Sequence, residues 1–245
     1  MKRVAIIQAR TGSTRLPRKV LMDLEGEPML TRVIRRVQRA TCVEHIVIAT
    51  TDHGDDDAVA ALGRTLGVEV FRGSEDDVLS RYVGASRAAG ADLIVRVTAD
   101  CPLLDPEVID SVVGTLERGA GEGPVDYASN VIDRTYPRGL DVEALFRDTL
   151  ERVGRMARSS MAREHVTYFI LHEQPSLFRM RSVVDTIDNS DLRWTVDEPA
   201  DLEMVRSLYD NLNLATSHVS YRDVVAWIRH HPDVASMNAH IQQKA

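Results

Sequence analysis

Four times in the first 118 residues, a short apolar and β-branched run is followed by a longer amphipathic stretch. "VAII" at 4–7 precedes 28–40, "HIVIAT" at 45–50 precedes 55–66, "VEVF" at 68–71 precedes 76–89, and "DLIVRVT" at 92–98 precedes 106–118. Continuous hydrophobic runs separated by helices predict strands covered on both faces, hence a parallel sheet with right-handed crossovers. The expected fold class is α/β, three-layered, with a mostly parallel central sheet. Within 28–40, Met29, Leu30, Val33, Ile34 and Val37 recur at helical spacing, while Arg32, Arg35, Arg36 and Arg39 read as a solvated face.

The rhythm changes after residue 119. The loop "GAGEGP", the β-like "VDYASNVI", the turn "TYPRG" and the run "LDVEALF" predict a small antiparallel excursion within 120–185. Helical patterns follow at 146–156 and 159–173. Strands at "FRMRSVVD" and "DLRWTVD" are expected to close the sheet before helices at "PADLEMVRSLYDNL" and "YRDVVAWIRHH". No repeat or linker divides the chain, so residues 1–245 are expected to form a single domain.

The chain carries a formal net charge of −7, which argues against broad binding to nucleic acid or to anionic membranes. Cys42 and Cys101 cannot build a disulfide framework and lack metal-type spacing, which fits a reducing compartment. The opening apolar stretch is too short for a signal or spanning segment, and a cytoplasmic location is expected.

Against this acidic background, "RTGSTRLPRK" places Arg10, Arg15, Arg18 and Lys19 in ten residues without an acid. The stretch follows the first strand. In an open parallel sheet, ligands bind beyond the carboxyl ends of the strands, and four cations with Gly12, Ser13 and Thr14 suit a polyphosphate there. A P-loop is excluded because Gly12 is not followed by a second glycine at the required spacing and Lys19 precedes Val20. The dinucleotide fingerprint Gly-x-Gly-x-x-Gly is also absent. Polyphosphate chemistry calls for a divalent metal, Mg²⁺ being expected, and carboxylates to hold it. Asp100 in "VRVTADCPLLDP" and Asp197 in "RWTVDEPADLEMV" each follow a predicted strand and precede a proline-initiated helix. Either alone reads as a helix cap, whereas together with the basic loop they form a candidate metal pair.

These segments carry a resemblance. "IIQARTGSTRLPRKVLMDLEGEPML", "TADCPLLDP", "REHVTYFI" and "WTVDEPADLEMV" resemble the cytidylyltransferase family that includes acylneuraminate and 3-deoxy-manno-octulosonate cytidylyltransferases, with its spore-coat polysaccharide branch most alike. The resemblance implies a Rossmann-like nucleotidyltransferase fold, with CTP and Mg²⁺ as nucleotide and cofactor, and a homodimer. The implied reaction is transfer of CMP to a sugar acid, or to an acceptor bearing phosphate or phosphonate, with release of pyrophosphate. It places the backbone at Gln8 and Ala9 near the nucleotide together with Arg10. Ser13, Arg15 and Lys19 approach the phosphates, and Asp100 and Asp197 hold metal. The excursion at 120–185 carries the acceptor pocket and a dimer contact. Ala99-Asp100-Cys101-Pro102 stands where octulosonate synthetases have Gly-Asp-Glu-Pro, which leaves the acceptor open.

Further candidates come from residue type. Arg138, Asp141 and Glu143 lie on a turn and strand that can line the acceptor side, the two acids either sharing a ligand or making salt bridges. His165 falls near a helix start, as an acceptor or partner-subunit contact or as a cap. Arg81 is a candidate for reaching the nucleotide, whereas Asp55, Asp56 and Asp57 read as a helix N-terminus. A glycosyltransferase of related architecture is the alternative enzyme, although Pro102 stands where its Asp-x-Asp motif would place a second acid. A noncatalytic nucleotide-binding protein has no need of this convergence of cations and carboxylates.

Overall fold

The computed structural model describes residues 1–119 and 123–242. Its first half alternates strands and helices: β1 (Arg3–Gln8), a short ribbon of β2 (Asp23–Leu24) and β3 (Glu27–Pro28), α1 (Met29–Val37), β4 (His45–Thr51), α2 (Asp57–Thr65), β5 (Glu69–Gly73), α3 (Val78–Ala88), β6 (Leu93–Thr98) and α4 (Pro106–Arg118). Each expected βα unit is present, and α4 starts and stops where the pattern put it. Its ends explain why: Asp105 accepts from the Glu107 amide at 2.8 Å, Pro106 fits the first turn, and Gly119 follows the last.

The second half supplies β7 (Tyr127–Ser129), β8 (Glu143–Phe146), α5 (Arg147–Met156), α6 (Ser160–Glu164), β9 (Met180–Ser182), α7 (Pro199–Asn211), α8 (Tyr221–Arg229) and α9 (Pro232–Ser236). The sheet runs β5-β4-β1-β6-β8-β7-β9. Strands β5, β4, β1 and β6 are parallel, β8 is antiparallel to both β6 and β7, and β7 pairs in parallel with β9. Successive residues of β1 serve opposite cores: Ala5 and Ile7 pack with α1, α4 and α7, whereas Val4 and Ile6 pack with α3 and α5. Two buried faces account for the unbroken apolar runs. No helix among the described residues is long and apolar enough to cross a membrane.

The solvated face expected of α1 holds for Arg35 and Arg39 but not for Arg32 and Arg36, which are buried on the carbonyls of Leu24 and Leu104. Two expected elements differ. The segment "DLRWTVD" is not a strand; it makes one bridge, Arg138 with Arg193, and is held by Arg138 N to Leu192 O at 2.9 Å and Trp194 N to Arg138 O at 2.6 Å. Its partner is the turn around Gly139, where φ is +105° and an added Cβ would lie 2.6 Å from Thr195 N. Glycine permits both the conformation and that approach. The helix expected over 159–173 breaks at Val166, whose φ of +45° ends α6 before a π-helical turn at Phe169–Glu173.

Candidate active site

At the C-terminal edge of β1 and β6 the connecting segments part to leave a cleft of about 750 Å³, within the range of small-molecule sites. Gln8 and Thr98, paired across the two strands, line its floor. The chain leaves β1 through Ala9, whose amide bonds to Ala49 O, and enters the basic loop.

The loop is fastened from inside. Asp56, 3% exposed, accepts from the Thr11 amide at 2.6 Å, from Thr11 Oγ1 at 2.8 Å and from Thr51 Oγ1. Burial opposes ionisation, but the hydrogen bonds from Thr51 and Thr11 outweigh it and hold the carboxyl below its usual range. Ser13 Oγ accepts from the Leu16 amide at 3.3 Å, and the Arg18 amide returns to Thr11 O at 3.0 Å. Arg18 adopts left-handed backbone, φ +60°, which turns the chain into the short helix carrying Lys19.

Lys19 is the centre of the charged floor. Its ammonium donates to Asp100 Oδ2, Asp197 Oδ1 and Val196 O, each at 2.8 Å. Burial works against the charge, yet Asp100 and Asp197 raise the ammonium above its ordinary value. Asp197 also meets Arg15 at 3.2 Å and Arg193 at 2.8 Å. Although burial penalises its charge, Lys19, Arg193 and Arg15 keep the carboxyl low. Asp100 Oδ1 accepts from Thr98 Oγ1 at 2.6 Å.

A second layer fixes Asp197. Asp201, fully buried at the start of α7, accepts from the Asp197 and Glu198 amides at 2.9 and 3.0 Å and from Arg193 Nε at 2.9 Å. The Asn238 amide, just after α9, donates to Asp201 Oδ1 at 2.8 Å and to Arg193 O at 2.9 Å.

The opposite wall contains Arg96, Arg138, Asp141, Met161, Glu164, His165, Tyr168 and His172. Among the described residues, the Arg138 guanidinium has no ion-pair or hydrogen-bond partner. Burial, Arg134 and Arg193 depress its pKa against the pull of Asp141. Asp141 is taken by Arg134 through two contacts, 2.6 and 2.8 Å.

One cleft thus gathers Gln8, Arg10, Gly12, Ser13, Arg15, Lys19, Asp100, Asp197, Arg138, Asp141 and His165. Three candidates lie elsewhere. Ala9 contributes backbone with its side chain buried. Arg81 is 1% exposed, behind the wall, with Nη1 on Ser74 O at 2.8 Å. Glu143 is not an acceptor-side group beside Asp141: it is 5% exposed within β8, bound by Arg96 and by Tyr127 OH. Arg96, Tyr168, His172 and the Arg193–Asp201 pair gave no signal as site residues in the sequence, and Asp56, at the helix N-terminus expected of it, fastens the basic loop as well. Only Asp201 left a local trace, three residues after Glu198 in capping-box spacing.

A doubly covered, mostly parallel sheet with a cationic loop and two carboxylates gathered in one cleft suits a nucleotidyltransferase. Comparison with known proteins is specific: the cytidylyltransferase family profile matches residues 4–221. The chain belongs to the cytidylyltransferase family. It is 35% identical over 249 residues to an uncharacterized protein of Methanocaldococcus jannaschii, spanning 100% of this chain and 98% of that one. It is 32% identical over 242 residues to the spore coat polysaccharide biosynthesis protein SpsF of Bacillus subtilis, with 94% and 95% covered. Among solved structures, a cytidylyltransferase from Leptospira borgpetersenii superposes with a TM-score of 0.89 at 30% identity, covering 100% of both chains.

Proposed function

We propose that this cytidylyltransferase moves CMP from CTP to a small acceptor bearing an acid group, a sugar acid or a phosphate or phosphonate, and releases pyrophosphate. The observation that carries the reading is the convergence in one cleft of the Arg10–Lys19 loop with Asp100 and Asp197. In this reading Arg10, Gly12, Ser13, Arg15 and Lys19 bind the triphosphate, with the backbone at Gln8 and Ala9 beside the nucleotide. Arg81 supports that end from within. The acceptor side belongs to Arg138, Asp141 and His165, and the unpartnered Arg138 guanidinium is what favours an anionic acceptor.

An acceptor oxygen attacks the α-phosphorus, forming a new P–O bond as the bond to the bridging oxygen breaks and pyrophosphate departs with the electron pair. Lys19 and Arg15 stabilise charge on the phosphates as it shifts toward the leaving group. A phosphate or phosphonate acceptor is already ionised; a hydroxyl must give up a proton.

Asp100 and Asp197 supply hard oxygen donors, and no third acid, His or Cys joins them into a metal-holding group among the described residues. That donor set fits Mg²⁺, which binds through one or two carboxylates and completes its shell with water and substrate phosphates. The ion would neutralise phosphate charge. A homodimer through 120–185 belongs to the same reading, supported by the exposed apolar side chains Met156, Met161 and Leu177, and sedimentation of the purified chain tests it.

The central test is pyrophosphate release with Mg²⁺, each ribonucleoside triphosphate and a panel of sugar acids, phospho-acids and phosphonates. Release with CTP and one acceptor class is expected; CTP failing to bind would overturn the reading.

A further inference from the structure

The Lys19 ammonium occupies the place between Asp100 and Asp197. All three of its protons have acceptors at 2.8 Å, and its side chain is 10% exposed. Arg15 and Arg193 approach Asp197 from other sides while each also pairs with a further acid, Arg15 with Glu198 at 3.4 Å and Arg193 with Asp201 at 2.9 Å. The carboxylate pair therefore already has a direct counter-charge in Lys19, which bonds both carboxylates. A divalent ion entering between the carboxylates would overlap Nζ and meet the Lys19 charge at short range, where repulsion is poorly screened.

We propose that Lys19 keeps the carboxylate pair closed to divalent metal until the phosphates of a nucleotide draw its ammonium away, so that metal and triphosphate bind as a coupled pair. The inference rests on the cleft being the CTP site. A triphosphate offers Lys19 and Arg15 new anionic partners. Once they turn to it, Asp100 and Asp197 lose counter-charge and become a donor pair for a hard cation. By reciprocity, the factor by which triphosphate raises metal affinity is the factor by which metal raises triphosphate affinity.

The probe is Mn²⁺ alone, with free ion measured by electron paramagnetic resonance at neutral pH in the absence of nucleotide. The native protein is expected to half-saturate above about 1 mM, weaker than a preformed carboxylate site. Lys19→Met and Lys19→Gln, with folding checked by circular dichroism, are expected to bind at least about tenfold more tightly. Adding Asp100→Asn to Lys19→Met should abolish that gain. Micromolar binding by the native protein overturns the proposal even if neither variant folds, and so does a folded variant that binds no more tightly than native. Native turnover of CTP without a gain in the variants would sink this inference alone. A gain in the variants, with no nucleotide bound by the native protein, would retain metal exclusion but overturn both the nucleotide-driven release and the function it rests on.

Discussion

The Asp56 carboxylate reaches 45 residues back along the chain to take the Thr11 amide at 2.6 Å, joining the β4–α2 connection to the first turn of the basic loop. The cations that follow are thus placed by an anion that does not face the cleft.

Loss of that charge should be visible as a change in the pH dependence of stability. The folded pKa of Asp56 lies below its ordinary 3.8, so the stabilisation is complete above the ordinary value and is lost as pH falls through the lowered one. Asp110, Asp185 and Asp197 share this sign. Asp56→Asn should melt below native at neutral pH, and the two melting temperatures should converge as the pH falls below 3.8. Thermal melts across that range would rule out the role if the gap were constant.

Asp100→Asn removes charge with little change of volume. Pyrophosphate release should fall by at least about 100-fold with the melting temperature nearly unchanged. Near-native turnover would remove Asp100 from the proposed metal site.

Gly139→Ala is expected to destabilise the protein by about 1–3 kcal/mol from backbone strain alone, before the contact with the Trp194–Thr195 backbone is counted. Chemical denaturation measures this. A neutral result would show that the turn can move away from the segment leading to Asp197.

Arg138→Gln should raise the KM for an acidic acceptor about tenfold or more and leave the KM for CTP within about twofold, since one charged contact to the acceptor is lost. Equal effects on both substrates would place Arg138 outside an acceptor-specific role. The comparison uses steady-state kinetics with each substrate varied in turn.

Much of this architecture is legible locally. Strands buried on both faces write their burial into consecutive residues, and α4 declares its ends with Asp105, Pro106 and Gly119. The segment before Asp197 alternates like a strand, yet its partner is a turn more than fifty residues earlier, a relationship without local trace. Val166 has no sequence signature for left-handed backbone. At the site, residue type and position revealed the loop, Asp100 and Asp197. The spacing of Asp141 and Glu143 misled because Asp141 precedes β8, while the cross-strand register hands Glu143 to Arg96. Groups that act through distant partners, such as Asp56 and Arg193, become recognisable only when the fold brings those partners together.

Asn238 ties the turn after α9 to the segment that leads into Asp197. Its amide holds Asp201 and the Arg193 carbonyl, two bonds removed from the carboxylate that meets Lys19. A chain cut before Asn238 therefore loses both bonds and is expected to hold Asp197 more loosely, whereas one cut after it keeps them.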